Sequence, residues 1–413
     1  MKIFQSPLMV SSVLALFMTG CASVPEAESV QTAQIKNSIE SAQGFDGSSE
    51  LVNRSQVVAT VKSKAVAVDL ERQALEWGYT LNKQEKLDGL NLYLLTFDCP
   101  PGVSPKDASL ELERLSPKSS VGEFNKYLLN SSNVSLIQTQ TQTPKTFANE
   151  MLSWPESGCE SPVKIGIIDG GLSQRFTEQT SAQVYTRSFI DTVPSETAES
   201  HGTSIAAILT DPARLKDVIL YSAAVVEQDK NGNDYSSPIA ILKALNWMVL
   251  NDVKVVNISL SGPPNKVLET ALDVAAEKGL LVVAAVGNQG QSSPPQFPAT
   301  YNTVLAATAV DVEGDIYDKA VQGNHVDFSA PGVDIYINVE GQSRYISGTS
   351  IAAPFITAAI ASSSAMKNYK NRDDIIRHFS SSATDLGPKG KDEIFGLGLI
   401  SAKNICIAEQ AKI

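Results

Sequence analysis

From residue 163 onward the chain alternates unbroken apolar runs with stretches of helical period, and few architectures accept that rhythm. "VKIGIID" (163–169) is apolar for nearly its whole length, as a parallel strand covered on both faces must be; a strand with one wet face would alternate instead. "VILYSAAVV", "VKVVNISL", "LLVVAAVG" and "TVLAATAV" have the same character, and "SPIAILKALNWMVLN" and "NKVLETALDVAAEKG" between them carry helical spacing. The alternation predicts a doubly wound, mostly parallel α/β sheet with its site at the carboxyl ends of the strands. No internal repeat is evident.

Upstream the pattern differs. "SQVVATV" alternates like a strand, "AVAVDLERQALEWG" has helical spacing with a Gly stop, and "YTLNKQEKL" and "LNLYLLTF" flank the turn "DG". "SPKDASLELERL" then begins like a helix and "VSLIQTQ" ends the region like a strand. Strand, helix, strand, strand, helix, strand is the order of a small α+β ferredoxin-like unit. The 413 residues therefore divide into an export segment (1–20), a Ser-, Gln- and Glu-rich tether (21–54), the small domain (55–142), a connector (143–159) and the large domain (160–413).

The export reading rests on "MKIFQSPLMVSSVLALFMTG", one Lys followed by an apolar stretch too short to span a bilayer comfortably. Its end, "MTGC", resembles the lipobox of bacterial lipoproteins, with Met18 in place of the commoner Leu. That resemblance implies lipidation of Cys21 and a place in the bacterial cell envelope, facing periplasm or exterior. Ala22 rather than Asp implies the outer membrane in a Gram-negative cell. The 33 Lys plus Arg against 45 Asp plus Glu leave a net charge of −12, which argues against nucleic acid as a partner. Of the other three cysteines, Cys159 and Cys406 flank the large domain, whose ends are expected to be neighbours in space, so they are the favoured bridge, with Cys99 left over.

Chemistry concentrates in a few residues. Asp169 lies at the end of a strand before Gly170 and Gly171, and His201, one of three histidines, occurs in "ESHGTSIAAIL" at the apparent start of a helix. Asn288 follows the strand of "VVAAVGNQG". Ser350 stands in "YISGTSIAAPFITAAIASSS", either as a helix cap with Pro354 in the first turn or as a nucleophile placed at a helix start. Taken singly, Asp-Gly-Gly is a turn, the histidine a structural one, and Asn-Gln-Gly a turn again.

In the order Asp, His, Asn, Ser they form a rarer set, and here the chain resembles the subtilisin-like serine peptidases. "IIDGG", "HGTSIA", "NISLSGP", "AAVGNQG" and "SGTSIAAP" match that family's successive motifs over roughly 160–405, with "DLGPKGKDEIFGLGLI" matching the usual end of the domain. The resemblance implies a serine endopeptidase in which Ser350 is the nucleophile, His201 the base, Asp169 its orienting acid and Asn288 an oxyanion donor. It also implies a cleft in which an extended peptide pairs near Gly232 and Tyr235 on one side and near Ser259, Leu260, Ser261 and Gly262 on the other, with Ala284 to Gly287 completing an uncharged pocket. Ser204, Ile351 and Phe355 depart from residues common in the family; none removes a group the mechanism needs. The competing reading is an inactive peptide-binding scaffold on the same fold. A Ser esterase is disfavoured, because "GTSIA" lacks the second Gly of a nucleophile elbow.

No cofactor is implied. Asp229, Asn231, Asn233 and Asp234 would suit a structural calcium, but the Gly falls too early for an EF-hand and Ala240 stands where the closing Glu belongs, so a solvated turn is expected. The small domain resembles the family's propeptides, which implies that it acts as an intramolecular inhibitor. "VSLIQTQTQTPK" (134–145) would then be the strand left in the cleft, with self-cleavage between about 138 and 150 freeing the large domain from its anchor. The partners so implied are protein or peptide substrates, the chain's own N-terminal domain and a lipid membrane.

Overall fold

The computed structural model describes residues 55–129, 133–136 and 147–406. The export segment, the tether, Cys21 and residues 137–146 lie outside these. The small domain runs β1 (Gln56–Val61), α1 (Lys64–Glu76), β2 (Thr80–Leu87), β3 (Leu92–Asp98), α2 (Pro105–Leu115) and β4 (Ser119–Glu123), with its antiparallel strands in the order β2-β3-β1-β4. Ser63 and Ser104 cap the two helices by accepting from Val66 N and Asp107 N. β1 is buried along nearly its whole length because both sheet faces are covered. Val57, Ala59 and Val61 face α1 and α2, whereas Val58 joins Leu92 and Leu94 in the core of the large domain.

The fourth strand corrects the sequence expectation. It is "SSVGE" (119–123), not the stretch beginning at Val134. A run of two Ser and a Gly has little strand propensity, and edge pairing with β1 decides its state. The chain then forms β5 (Tyr127–Leu129) and β6 (Asn133–Leu136), which leave the small domain altogether and pair with the large one.

After α3 (Phe147–Met151) and β7 (Cys159–Glu160) come β8 (Lys164–Asp169), α4 (Gln174–Gln179), β9 (Gln183–Ser188), α5 (Glu196–Leu209), β10 (Leu215–Lys216) and β11 (Ile219–Ala224). The hairpin β12 (Val226–Gln228) and β13 (Asp234–Ser236) leads to α6 (Pro238–Leu250), β14 (Val255–Ile258), β15 (Leu260–Ser261), α7 (Lys266–Glu277), β16 (Leu281–Ala285) and β17 (Val304–Val310). The domain closes with β18 (Phe328–Pro331), β19 (Ile335–Val339), β20 (Gln342–Ser347), α8 (Thr349–Ser362) and α9 (Arg372–Phe379). Seven strands form one parallel sheet in the order β18-β17-β16-β14-β8-β11-β9. α5 and α8 pack together against one face, and α6 and α7 cover the other. This is the doubly wound α/β fold expected. The edge strand β9 escapes sequence reading because it is mostly exposed and lacks an apolar run.

The two domains meet through side chains that serve both. Asn265 caps α7 by accepting from Val267 N and Leu268 N, while its Nδ2 donates to Glu123 O at 2.9 Å and Asn125 Oδ1 at 2.7 Å. Asn246 Oδ1 accepts from Gly89 N and Leu90 N. Cys159 and Cys406 form a disulfide across 247 residues of sequence, with Cα atoms 5.4 Å apart, so the two ends of the large domain do lie together. Closing so long a loop restricts the unfolded chain, and changing Cys159 and Cys406 together to Ser should lower stability by about 2–5 kcal/mol. Guanidinium unfolding of oxidised protein and of the double variant measures this; equal midpoints would show that the bridge contributes nothing.

Candidate active site

Asp169 is the last residue of β8, fully buried, and its Oδ1 accepts from Gly170 N at 2.7 Å and lies 2.8 Å from His201 Nδ1. His201 is the sixth residue of α5, not its start as the sequence suggested. Ser195 caps this helix by accepting from Ala198 N, and Glu196 and Glu199 suit its positive end, so it begins a turn and a half earlier. The pair depends on close backbone approach. A Cβ on Gly202 would fall 2.1 Å from Gly171 O, so only a residue without one lets α5 come this near the end of β8.

Ser350 is fully buried, the second residue of α8. The capping alternative does not hold: Gly348 is the N-cap, and no side chain makes a cap bond. Pro354 lies in the interior of α8, past its first turn, where it has no N–H to give to the Ser350 carbonyl. Ser259 Oγ donates to that carbonyl at 3.5 Å, tying the start of α8 to the segment before β15. Asn288, beyond β16, is anchored by its oxygen: Thr349 N and Thr349 Oγ1 both donate to Oδ1, at 3.0 and 2.8 Å. Thr349, which sequence reasoning did not assign a role, thus fixes Asn288 beside Ser350. Its only signal was its place between Gly348 and Ser350.

Three buried polar atoms here have no hydrogen-bond partner among the described residues: Asp169 Oδ2, His201 Nε2 and Asn288 Nδ2. Each such group left unsatisfied costs about 1–3 kcal/mol; others of the kind lie elsewhere, Ser222 Oγ and Thr308 Oγ1 among them, but these three belong to the residues the chain order singles out. The imidazole held through Nδ1 presents Nε2, and the amide held through its oxygen presents N–H.

The strands anticipated as edges of a substrate cleft pair with another segment of the chain itself. β5 lies between β13 and β15, antiparallel to both, with Leu128 opposite Tyr235 and Ser261, Tyr127 opposite Ser236, and Leu129 opposite Leu260. On the far side β6 runs antiparallel to β20, with Asn133 opposite Ser347. Leu129 is thus next to the Ser259–Leu260 segment that bonds to Ser350, and Asn133 is next to the strand that leads into α8. Of the anticipated substrate residues, Tyr235, Leu260 and Ser261 take part in this pairing, and Gly262 adjoins it. Gly232 does not: it sits in the exposed turn between β12 and β13. Gly287 and Ser261 are bridged by Gln289, whose Nε2 donates to Ser261 Oγ at 3.0 Å and whose Oε1 lies against Gly287.

The model of the Subtilase family matches residues 160–398. The minor extracellular protease Epr of Bacillus subtilis is 29% identical over 61% of this chain, a stretch that spans 39% of that relative. Subtilisin BL of Lederbergia lenta is 31% identical over 59% of this chain and 90% of its own length. In fold, the crystal structure of fervidolysin from Fervidobacterium pennivorans, a keratinolytic enzyme related to subtilisin, superposes with a TM-score of 0.67 at 17% identity, covering 86% of this chain and 61% of that one. The chain belongs to the subtilase family, the family of subtilisin-like serine peptidases.

Gly202→Ala should shift α5 away from β8. Overpacking of this kind costs about 1–3 kcal/mol, to be read as a lowered melting midpoint. An unchanged midpoint would mean that the close approach carries no constraint.

Proposed function

We propose that the protein is a serine endopeptidase that cleaves protein or peptide substrates with Ser350, His201 and Asp169. The observation that carries this reading is His201, buried, held at Nδ1 by Asp169 with Nε2 left for a reacting proton, on a helix packed against the one that carries Ser350. Ser350 Oγ attacks the substrate carbonyl while His201 accepts its proton; the C–N bond then breaks as His201 returns the proton to the leaving amine. Water attacks the acyl-enzyme by the same route in reverse. Asp169 keeps the imidazole in the useful tautomer and offsets its charge. The oxyanion meets Asn288 Nδ2 and the N-terminus of α8. An inactive scaffold would gain nothing from leaving such polar atoms buried without partners.

The N-terminal domain acts as an intramolecular inhibitor whose departing strand is β5, earlier than the 134–145 segment the sequence suggested. Leu129 pairs with Leu260, beside the Ser259 that bonds the Ser350 carbonyl, and Asn133 pairs with Ser347, three residues before Ser350, which supports self-cleavage between them; most of the 138–150 window expected from the sequence lies outside the described residues. With Cys21 lipidated in the cell envelope, that cut frees the large domain from its anchor.

Ser350→Ala, His201→Ala and Asp169→Asn should each abolish most casein degradation while leaving the fold intact, since the three act as a unit. Asn288→Ala should reduce kcat by about 10²–10³. A Ser350→Ala protein as active as wild type would overturn the assignment. Fractionated cells should contain a shortened soluble wild-type form beginning between residues 130 and 133, against full-length membrane-bound Ser350→Ala. Identical full-length bands, or a terminus elsewhere, would count against self-release at this place.

A further inference from the structure

The residue before β5 makes a contact that strand pairing does not require. Lys126 Nζ donates to Asp229 Oδ2 at 2.8 Å, with both side chains only 10% exposed. The same ammonium lies 4.5 Å from the centroid of the Tyr235 ring. A lysine so buried needs a paired charge, and an aromatic face adds to the attraction. Asp229 is set up for this by its own turn: Asn231 N and Asn233 N both donate to Oδ1 at 2.9 Å, leaving Oδ2 to Lys126 and, at 3.4 Å, to Asn233 Nδ2. Lys126 and then these turn N–H groups hold the Asp229 carboxyl well below the usual carboxylate range. The carboxylate anticipated as part of a solvated loop is therefore a fixed acceptor of one cation.

The next residue is held as specifically. Tyr127 is fully buried, and its hydroxyl donates to Pro263 O at 2.9 Å. Its ring passes where a side chain at residue 262 would stand: a Cβ on Gly262 would lie 2.8 Å from Tyr127 Cδ1. Leu129, two residues on, is buried as well, while Leu128 between them is half-buried. Asp229, Tyr235, Gly262 and Pro263 all belong to the large domain, and the turn that orients Asp229 uses no atom of the small one.

We propose that Asp229 and Tyr235 form a subsite selecting a lysine or arginine immediately before an aromatic residue of the substrate strand, so that favoured substrates read basic, aromatic, any residue, apolar. This rests on the peptidase reading of the same cleft, with β5 as its first occupant. Long stretches of acidic sequence are rejected at this position, because a carboxylate there would face Asp229 with no cation between them.

The test uses the full chain after self-processing, with active sites counted by a fluorophosphonate probe. Two internally quenched peptides are compared, Lys-Tyr-Leu-Leu and Glu-Tyr-Leu-Leu, each followed by Asn-Ser-Ser-Asn-Val. The wild type should prefer the Lys peptide in kcat/KM by about tenfold or more at low salt, falling severalfold in about 0.5 M salt as the charges are screened. In Asp229→Asn, which keeps an oxygen for the turn, the ratio should drop to within about threefold of unity, and in Asp229→Lys it should invert. Because each ratio is taken on one enzyme sample, partial misfolding of a variant cancels. Probe labelling with a ratio near one in wild type, or unchanged in Asp229→Asn, would overturn the subsite alone. Absence of both labelling and cleavage would overturn the peptidase reading and the subsite with it.

Discussion

A parallel sheet buried on both faces discharges the carboxyl ends of all its strands on one edge, and here everything chemical gathers there. Asp169 ends β8, Asn288 follows β16, and the Ser259 segment follows β14. The central strands are mostly apolar because α5 and α8 cover one face and α6 and α7 the other, with Ser222, Asn257, Thr308 and Ser329 as buried polar exceptions. The sheet thereby decides where the candidate site is, and the helices that carry His201 and Ser350, α5 and α8, pack side by side against one of its faces.

Within that frame the site is held by backbone contact more than by side-chain packing. Gly202 against Gly171 sets the distance between α5 and β8, and the Asp169–His201 contact follows from it. Thr349 ties Asn288 to the start of α8, and Ser259 ties the same turn to the rim of the cleft. The Asp169–His201 contact and the Thr349–Asn288 bonds each use one polar atom of the side chains they hold and leave Asp169 Oδ2, His201 Nε2 and Asn288 Nδ2 buried and unpartnered among the described residues. The arrangement concentrates its cost in a few groups, which the large apolar core on either side of the sheet offsets.

The N-terminal domain is bound by two kinds of interaction with different consequences. Its sheet shares a core with the large domain through Val58, Leu92 and Leu94, and Asn265 and Asn246 fasten its loops. These contacts are general adhesion between domains. β5, by contrast, completes a sheet with β13 and β15, and backbone pairing of that kind accepts many sequences, leaving selectivity to the side chains on either side of it. In the chain's own case Lys126 and Tyr127 make such side-chain contacts, to Asp229 and to Pro263.

The order of apolar runs from residue 163 and the chain order of Asp169, His201, Asn288 and Ser350 were legible in the sequence because burial on two faces and motif spacing are local properties of the chain. So were α1, through its helical period and Gly stop, and α2, through its Ser-Pro start, and the two ends of the large domain proved near enough for Cys159 and Cys406 to bond. What the sequence misled on was the pairing of strands around the small domain. "SSVGE" has no strand signal of its own and becomes β4 only beside β1, whereas Val134 to Leu136 has the signal and pairs outside the small domain. That β5 pairs with β13 and β15, that Gly348 and not Ser350 caps α8, and that Asp229 receives Lys126 across 103 residues all rest on tertiary contacts. A hydrogen bond or charge pair between distant segments leaves no period in either, so local composition determines the elements while only the packed chain decides their partners.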